Sequence, residues 1–248
     1  MRILLSGALG HMGREVARQA EAEGVEILCG VDAATGEAAF PVYGSFEEAP
    51  VADVVIDFSA PQALPGLLDY CERHGVPAVL CTTGYDEEQI AAIDAAAKKV
   101  ALFRSGNMSL GVALLRALSR KAAEVLGGGF DVEIVEAHHN RKKDAPSGTA
   151  LMLLDAVKEA YDQPREAVYG RHGRDCNRQP HEIGVHALRG GTVTGEHEVC
   201  FFGPSERIRL SHSAESRSVF ASGALRAAAY LMDQQPGLYS MDHLVGKL

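Results

Sequence analysis

Two adjacent histidines and three cations stand together at His138-His139-Asn140-Arg141-Lys142-Lys143, in a chain whose formal net charge is −9. Imidazole titrates near neutrality, so it can give or take a proton at physiological pH. A cationic loop in an acidic chain points to a small anion rather than a polyanion. The island runs into Asp144-Ala145-Pro146-Ser147-Gly148-Thr149. Its Ser, Gly and Thr lead into a helical pattern and can offer N–H groups and a hydroxyl to an anion. Two cations and the start of a helix are about what two carboxylates require. The competing readings are a solvated loop with surface lysines and a zinc site, but neither HxxxH nor a partner-cysteine spacing accompanies the histidines.

A second constellation opens the chain. Gly7-Ala8-Leu9-Gly10-His11-Met12-Gly13 reads GxxGxxG between an apolar run, Arg2–Ser6, and a helical pattern over Gly10–Glu23. Glycine there allows positive φ, close approach of the backbone to a pyrophosphate, and tight packing of helix on strand. The alternative is a strand–helix turn with no ligand. Asp32 closes the next predicted strand, 19 residues beyond Gly13, where a carboxylate accepts hydrogen bonds from an adenosine ribose. That carboxylate repels a 2′-phosphate. Ala33-Ala34-Thr35 supply no cation, and the nearest ones, Arg14 and Arg18, are on the helix. The reading is NADH in preference to NADPH.

Both constellations need elements to hold them. Short strands are expected at Arg2–Ser6, Val25–Val31, Asp53–Phe58, Ala78–Leu80 and Val100–Phe103. Helices carrying Val16 and Ala20, then Leu64, Leu67, Leu68 and Cys71, then Ile90, Ile93 and Ala97, fall between them, with Pro61 opening the second. Such alternation implies βαβ units and a parallel sheet. Beyond Gly106 the pattern changes. Leu110, Leu114, Leu118, Ala122 and Val125 lie at helical spacing, and Gly127-Gly128-Gly129 ends that helix. A strand at Asp131–Ala137, a helix at Ala150–Tyr161 and a long polar loop over 162–180 follow. Three strands, His181–Arg189, Glu196–Phe202 and Arg207–Ser213, are joined by turns at Gly190-Gly191 and Gly203-Pro204. The final helix starts near Ser218, with Phe220, Ala224, Ala227 and Leu231 on one face.

Composition narrows the class. The 248 residues are 46% apolar and 23% charged, which supports one or two folded domains and excludes intrinsic disorder. The acidic balance, the absence of Trp and the 6% aromatics argue against nucleic-acid binding. No apolar run approaches the ~18 residues of a membrane span, and MRILLSGALG is too soon broken by glycine for a signal-peptide core. Cys29, Cys71, Cys81, Cys176 and Cys200 are odd in number and show no CxxC spacing, so the reducing cytoplasm is expected, with Cys29, Cys71 and Cys200 as core thiols. His172, His181, His186 and His212 read as loop or sheet residues. Arg171, Arg174 and Arg178 read either as lining a substrate mouth or as a solvated loop.

The segment Glu136-Ala137-His138-His139-Asn140-Arg141-Lys142-Lys143-Asp144-Ala145-Pro146-Ser147-Gly148-Thr149-Ala150 closely resembles the signature of the 4-hydroxy-tetrahydrodipicolinate reductase (dihydrodipicolinate reductase) family, E-[LA]-H-H-x-x-K-x-D-A-P-S-G-T-A. The likeness runs nearly end to end. It takes in Asp57-Phe58-Ser59, Thr82-Thr83-Gly84, Asn107-Met108-Ser109-Leu110-Gly111-Val112 and Gly195-Glu196-His197.

The resemblance implies an α/β fold, with a Rossmann-like dinucleotide-binding domain over 1–108 plus 219–248. An α+β substrate and oligomerisation domain over 109–218 would carry an open mixed sheet whose outer face builds a homotetramer. Gly7, Ala8, Leu9, Gly10, His11, Met12, Asp32, Cys81, Thr82, Thr83, Ser105, Gly106, Asn107 and Met108 would then contact NADH or NADPH. His138 and Lys142 would be the catalytic pair, while His139, Gly148 and Thr149 would hold the carboxylates of a small dicarboxylate substrate. The implied reaction belongs to lysine and diaminopimelate biosynthesis. A cyclic dicarboxylate loses water to a conjugated imine, hydride adds to the ring C=C, and the resulting enamine is protonated from the His138/Lys142 loop, without a metal. Cys81 stands where the family usually has Gly, Ser105 and Met108 depart from A-x-N-F-S, and Ala33 stands where many relatives have a cation. Another dehydrogenase on the same cofactor fold, a nucleotide sensor and a scaffold protein are the rival readings; none of them accounts for the His/Lys loop followed by Ser-Gly-Thr.

Overall fold

The computed structural model describes residues 1–246. In chain order the elements are β1 (Arg2–Ser6), α1 (His11–Ala22), β2 (Glu26–Val31), β3 (Val42–Tyr43), β4 (Val54–Asp57), α2 (Leu64–His74), β5 (Ala78–Leu80), α3 (Glu87–Ala96) and β6 (Ala101–Arg104). There follow α4 (Leu110–Leu126), β7 (Asp131–His138), α5 (Gly148–Lys158), β8 (Glu166–Tyr169), β9 (Glu182–Arg189), β10 (Gly195–Phe202) and β11 (Arg207–Ala214). The chain ends in α6 (Ser218–Leu231), β12 (Gly237–Tyr239) and α7 (Met241–Val245). Two units form, Met1–Leu110 with Arg217–Gly246, and Gly111–Ser216. The cuts thus fall after 110 and 216, against expected cuts after 108 and 218; residues 247 and 248 of the expected first domain lie outside the described residues.

The first unit is a Rossmann-like sheet of seven parallel strands in the order β12-β6-β5-β4-β1-β2-β3. Leu4, Val55 and Leu102 pack with Leu67 and Cys71 of α2 and Ile93 of α3. The alternate residues Ile3, Leu5, Val54 and Ile56, also fully buried, point to the opposite face. There α6 lies on β4, β5 and β6 and against α1. Cover on both faces explains why these strands read as continuous apolar runs. The strand order reverses between β1 and β4, and ligands of such sheets bind at that crevice, beyond the strands' carboxyl ends.

The second unit is a mixed sheet, β11-β10-β7-β9-β8, with β7, β8 and β9 mutually parallel and β10 antiparallel to both β7 and β11. On one face Val132, Ile134, Ile183, Val185, Val199 and Phe201 meet Leu115 and Ala123 of α4 and Leu153, Leu154 and Val157 of α5.

Five expectations need correction. The turn at Gly190-Gly191 does not close a hairpin, because β7 lies between β9 and β10; parallel register brings Val132 and Ile134 of β7 beside Ile183 and Val185 of β9. The supposed loop over 162–180 contains β8, a four-residue edge strand whose only pairing is to β9. The expected face of α4 is wrong: Leu114, Leu118 and Val125 are 42, 38 and 73% exposed, whereas Val112, Leu115, Ser119 and Ala123 are buried. Lastly, α6 is not the final element, and Pro61 opens a short 3-10 turn before α2.

Candidate active site

At the first strand–helix junction, Gly7 takes φ +73, and a Cβ there would lie 2.5 Å from the carbonyl oxygen of Phe58. At Gly13 a Cβ would lie 2.1 Å from the carbonyl oxygen of Gly7. Only glycine permits this turn, and it leads into α1 with no side-chain cap and no acidic residue in the first turn. The positive end of that helix therefore faces whatever lies beyond β1. A cleft of about 910 Å³ opens there, lined among others by Gly7, Leu9, Gly10, Asp32, Phe46, Phe58 and Ser59. The Asp32 carboxylate is set by the backbone: Oδ2 accepts from Leu9 N and Oδ1 from Ala34 N, both at 2.9 Å. Met12, Cys81, Gly106, Asn107 and Met108 meet around a second hollow of about 330 Å³, and Ser105 Oγ donates to the Asn107 carbonyl at 2.7 Å. Ala8, His11, Thr82, Thr83 and Ser105 line neither space. A glycine cradle, an uncapped helix and a carboxylate at the cleft fit a dinucleotide.

The second unit holds the other constellation. His138 is the last residue of β7, so the pair expected within one loop is divided between a strand end and the following turn. Strand alternation puts Val132, Ile134, Glu136 and His138 on the helix-covered face, all of them buried. His138 Nδ1 donates to Glu136 Oε2 at 2.6 Å. With that nitrogen committed, Nε2 is the atom that exchanges a proton. The Glu136 side chain is completely buried and also accepts from Arg189 and from Ser147 N. Burial alone would raise its carboxyl, but hydrogen bonds from Arg189, His138 and the Ser147 amide outweigh it and hold the group below the usual carboxylate range.

The turn is fixed at both ends. His139 N donates to the Val193 carbonyl at 2.8 Å, and the His139 Nδ1 is buried with no hydrogen-bond partner among the described residues. Lys142 Nζ lies 3.0 Å from Asp144 Oδ1. Ser147 caps α5 by accepting from Ala150 N at 3.2 Å, which makes Gly148 and Thr149 the first residues of that helix. The first-turn N–H groups have no intrahelical carbonyl to bind and suit an anion. Arg171 and Arg178 are not solvated as one of the two readings had them, since they pair with Glu133, Glu182 and Asp131, whereas Arg174 is exposed.

Sequence reasoning gives no role to Glu136, Arg189 and His197, and takes Ser147 as an anion contact rather than as the cap of α5 and a partner of Glu136. Arg189 pairs with His138 only through the β7/β9 register, 51 residues away in sequence. The family motif contains Glu136 and Ser147, yet spacing alone did not show that both face inward.

His197 of β10 is buried, its ring edge-on to His138 at 5.2 Å between centroids. Ser147 Oγ, which accepts from Ala150 N, also lies 3.0 Å from His197 Nε2. Burial first, and then the charge of His138, push the His197 pKa down to about 4 from 6.5. The unfolded chain therefore binds one more proton than the folded chain between those values. Stability is complete above pH 6.5, falls by up to about 3 kcal/mol as pH drops to about 4, and loses nothing more from this group below that. Urea denaturation of wild type and His197→Asn across this range should show a flatter acid slope in the variant. Parallel slopes contradict the assignment.

Two family models together span almost the whole chain: dihydrodipicolinate reductase, N-terminus, over residues 1–108, and dihydrodipicolinate reductase, C-terminus, over 111–245. The 4-hydroxy-tetrahydrodipicolinate reductase of Caldanaerobacter subterraneus subsp. tengcongensis is 50% identical, over 100% of this chain and 99% of that protein. The protein of the same name from Clostridium botulinum is 43% identical over 99% and 98%. Among solved structures, a dipicolinate-bound dihydrodipicolinate reductase from Paenisporosarcina sp. TG-14 shares the fold at a TM-score of 0.83, with 23% identity and 99% coverage of each chain. A glycine cradle over a parallel sheet, a Glu–His pair at the mouth of a mixed sheet and these end-to-end likenesses lead to one conclusion: the chain belongs to the dihydrodipicolinate reductase family.

Proposed function

We propose that this chain reduces (4S)-4-hydroxy-2,3,4,5-tetrahydrodipicolinate to 2,3,4,5-tetrahydrodipicolinate with loss of water, using a pyridine nucleotide, in diaminopimelate and lysine biosynthesis. The observation that carries the proposal is the buried Glu136–His138 pair set beside the start of α5, in a chain matched end to end by reductases of that name. The first unit takes the nucleotide through Gly7–Met12, Asp32 and the 81–83 and 105–108 segments. When bound, the reduced nicotinamide supplies the hydride.

The second unit takes the dicarboxylate. One carboxylate sits on the first-turn amides of α5 at Gly148 and Thr149 and the other on His139, whose buried Nδ1 has no hydrogen-bond partner among the described residues. Lys142 leaves Asp144, its partner at 3.0 Å, for a substrate carboxylate. Reduction of the conjugated imine leaves an enamine, and His138 protonates it through Nε2. The cations around the ring stabilise the developing charge in a site where little water competes.

NADH is the preferred donor. The Asp32 carboxylate repels a 2′-phosphate, Ala33 and Ala34 follow it, and both nearby arginines are engaged: Arg14 Nε on the Leu9 carbonyl at 3.0 Å and Arg18 on Glu15 at 2.6 Å. Assembly is a homotetramer through the face of the second sheet opposite the helices, where Leu188 and Phe202 are 57 and 36% exposed. We place the enzyme in the cytoplasm, consistent with its five unpaired cysteines. Among the described residues no helix is long and apolar enough to cross a membrane.

Two measurements test this reading. With substrate made in situ from pyruvate and aspartate semialdehyde by the upstream synthase, loss of absorbance at 340 nm should be faster with NADH than with NADPH. Faster NADPH turnover contradicts the Asp32 argument, and no turnover with either contradicts the reaction. In the same assay His138→Gln should lose about 100-fold or more in kcat with a much smaller change in KM; wild-type kinetics in that variant rule His138 out as the proton donor.

A further inference from the structure

Glu136 accepts four hydrogen bonds on one carboxylate. Oε2 takes His138 Nδ1 at 2.6 Å and Arg189 Nη1 at 2.7 Å, while Oε1 takes Ser147 N at 2.9 Å and Arg189 Nη2 at 2.8 Å. Arg189 is itself tied down, for Nη2 donates to the Asp144 carbonyl and Nη1 to the Leu188 carbonyl, at 2.6 and 2.7 Å. Each carboxylate oxygen thus has one guanidinium donor and one other donor, so the group can neither rotate nor turn away from the imidazole. A buried ion pair of this kind contributes little net stability over apolar packing of the same volume. Its location, one hydrogen bond from His138, gives it a different use.

We infer that Glu136, clasped by Arg189, is a positioning residue for the reduction: it holds the resting His138 in the Nδ1–H tautomer, so that Nε2 is the nitrogen that takes up a proton from solvent and then, as the imidazolium steadied by the carboxylate, passes that proton to the enamine. The inference rests on His138 being the proton donor. His197 of β10 lies edge-on to that imidazole, and Gly195 stands beside Nε2, where a Cβ would lie 3.1 Å away. Nδ1 is held by Glu136, which makes that carboxylate the group that sets the tautomer. Glutamine cannot replace it. Its amide has one oxygen for the three donating groups, and its NH₂ meets a guanidinium that only donates. An imidazole held in the wrong tautomer loses most of its catalytic value even when geometry is kept.

The test is Glu136→Gln, read in two ways. Long-range ¹H–¹⁵N spectra of histidine-labelled protein, with His138 assigned by its absence in His138→Gln, report the tautomer without any turnover. Wild type should show the Nδ1–H form and the variant a mixture, with kcat lower by at least about tenfold and by a larger factor than any rise in KM. If the tautomer is unchanged, the positioning role is overturned whatever happens to kcat. If the tautomer changes and kcat does not, the proposal fails at its base, because His138 is then not the donor. Should Glu136→Gln fail to fold, Arg189→Lys provides the same two readouts: it keeps the charge and loses the two-pronged grip, and it should move both in the same direction. No movement in that variant overturns the clasp.

Discussion

A carboxylate cannot sit inside an apolar sheet–helix interface unless every lone pair is met by a donor, since an unpaired buried charge costs several kcal/mol. Glu136 lies in that position, and much of the second unit reads as the answer to it. The β7/β9 register brings Arg189 alongside His138. The turn after His138 folds back so that Ser147 N reaches the same carboxylate, and this is also where α5 begins. The proposed proton donor His138, the start of α5 and the turn bearing Lys142 are therefore fixed to one buried group. Glu133, on the opposite face of the same strand, is met in a parallel way by Arg171, Arg178 and His186, and a Cβ at Gly184 would lie 1.7 Å from its Oε2. Polar residues in β7 are tolerated on both faces because Arg189 at the end of β9 and Arg171 and Arg178 in the β8–β9 connection bring cations to them.

The two units use one local device for two purposes. In each, a strand ends, the chain turns tightly, and a helix starts with its first N–H groups pointing into a binding space. After β1 the turn is made by glycine, which clears room for a pyrophosphate and leaves α1 uncapped. After β7 the turn is made by a cationic run, and Ser147 caps α5, so charge supplements the helix dipole where the ligand is a smaller, more localised anion. On the proposed function the backbone would recognise phosphate in the one case and side chains a dicarboxylate in the other, with proton transfer assigned to the second, where an imidazole is bonded to a carboxylate.

Legibility in the sequence followed the range of the interactions. The β1–turn–α1 junction, Asp32 and the His138–Thr149 segment were readable because their meaning lies within a few residues and in residue types with restricted chemistry. The parallel sheet was readable from the rhythm of apolar runs. The face of α4 was not, because both of its stripes are apolar and only the sheet decides that Leu115 and Ala123 go inward while Val125 faces solvent. The strand at Glu166–Tyr169 is an edge strand defined by β9 alone, and the place of β7 between β9 and β10 is set by pairing across distant residues. Arg189 belongs to the same class: an arginine at the end of a strand carries no local sign that it will clasp a glutamate 53 positions earlier.

The most direct test of this account is a crystal structure of the wild-type protein with dipicolinate, a planar dicarboxylate of the substrate's size. The account predicts one carboxylate on the amides of Gly148 and Thr149, the other at His139, and His138 Nε2 directed at the ring while its Nδ1 stays on Glu136. A dicarboxylate bound away from the 138–149 segment, or an imidazole released from Glu136 when it binds, would contradict it.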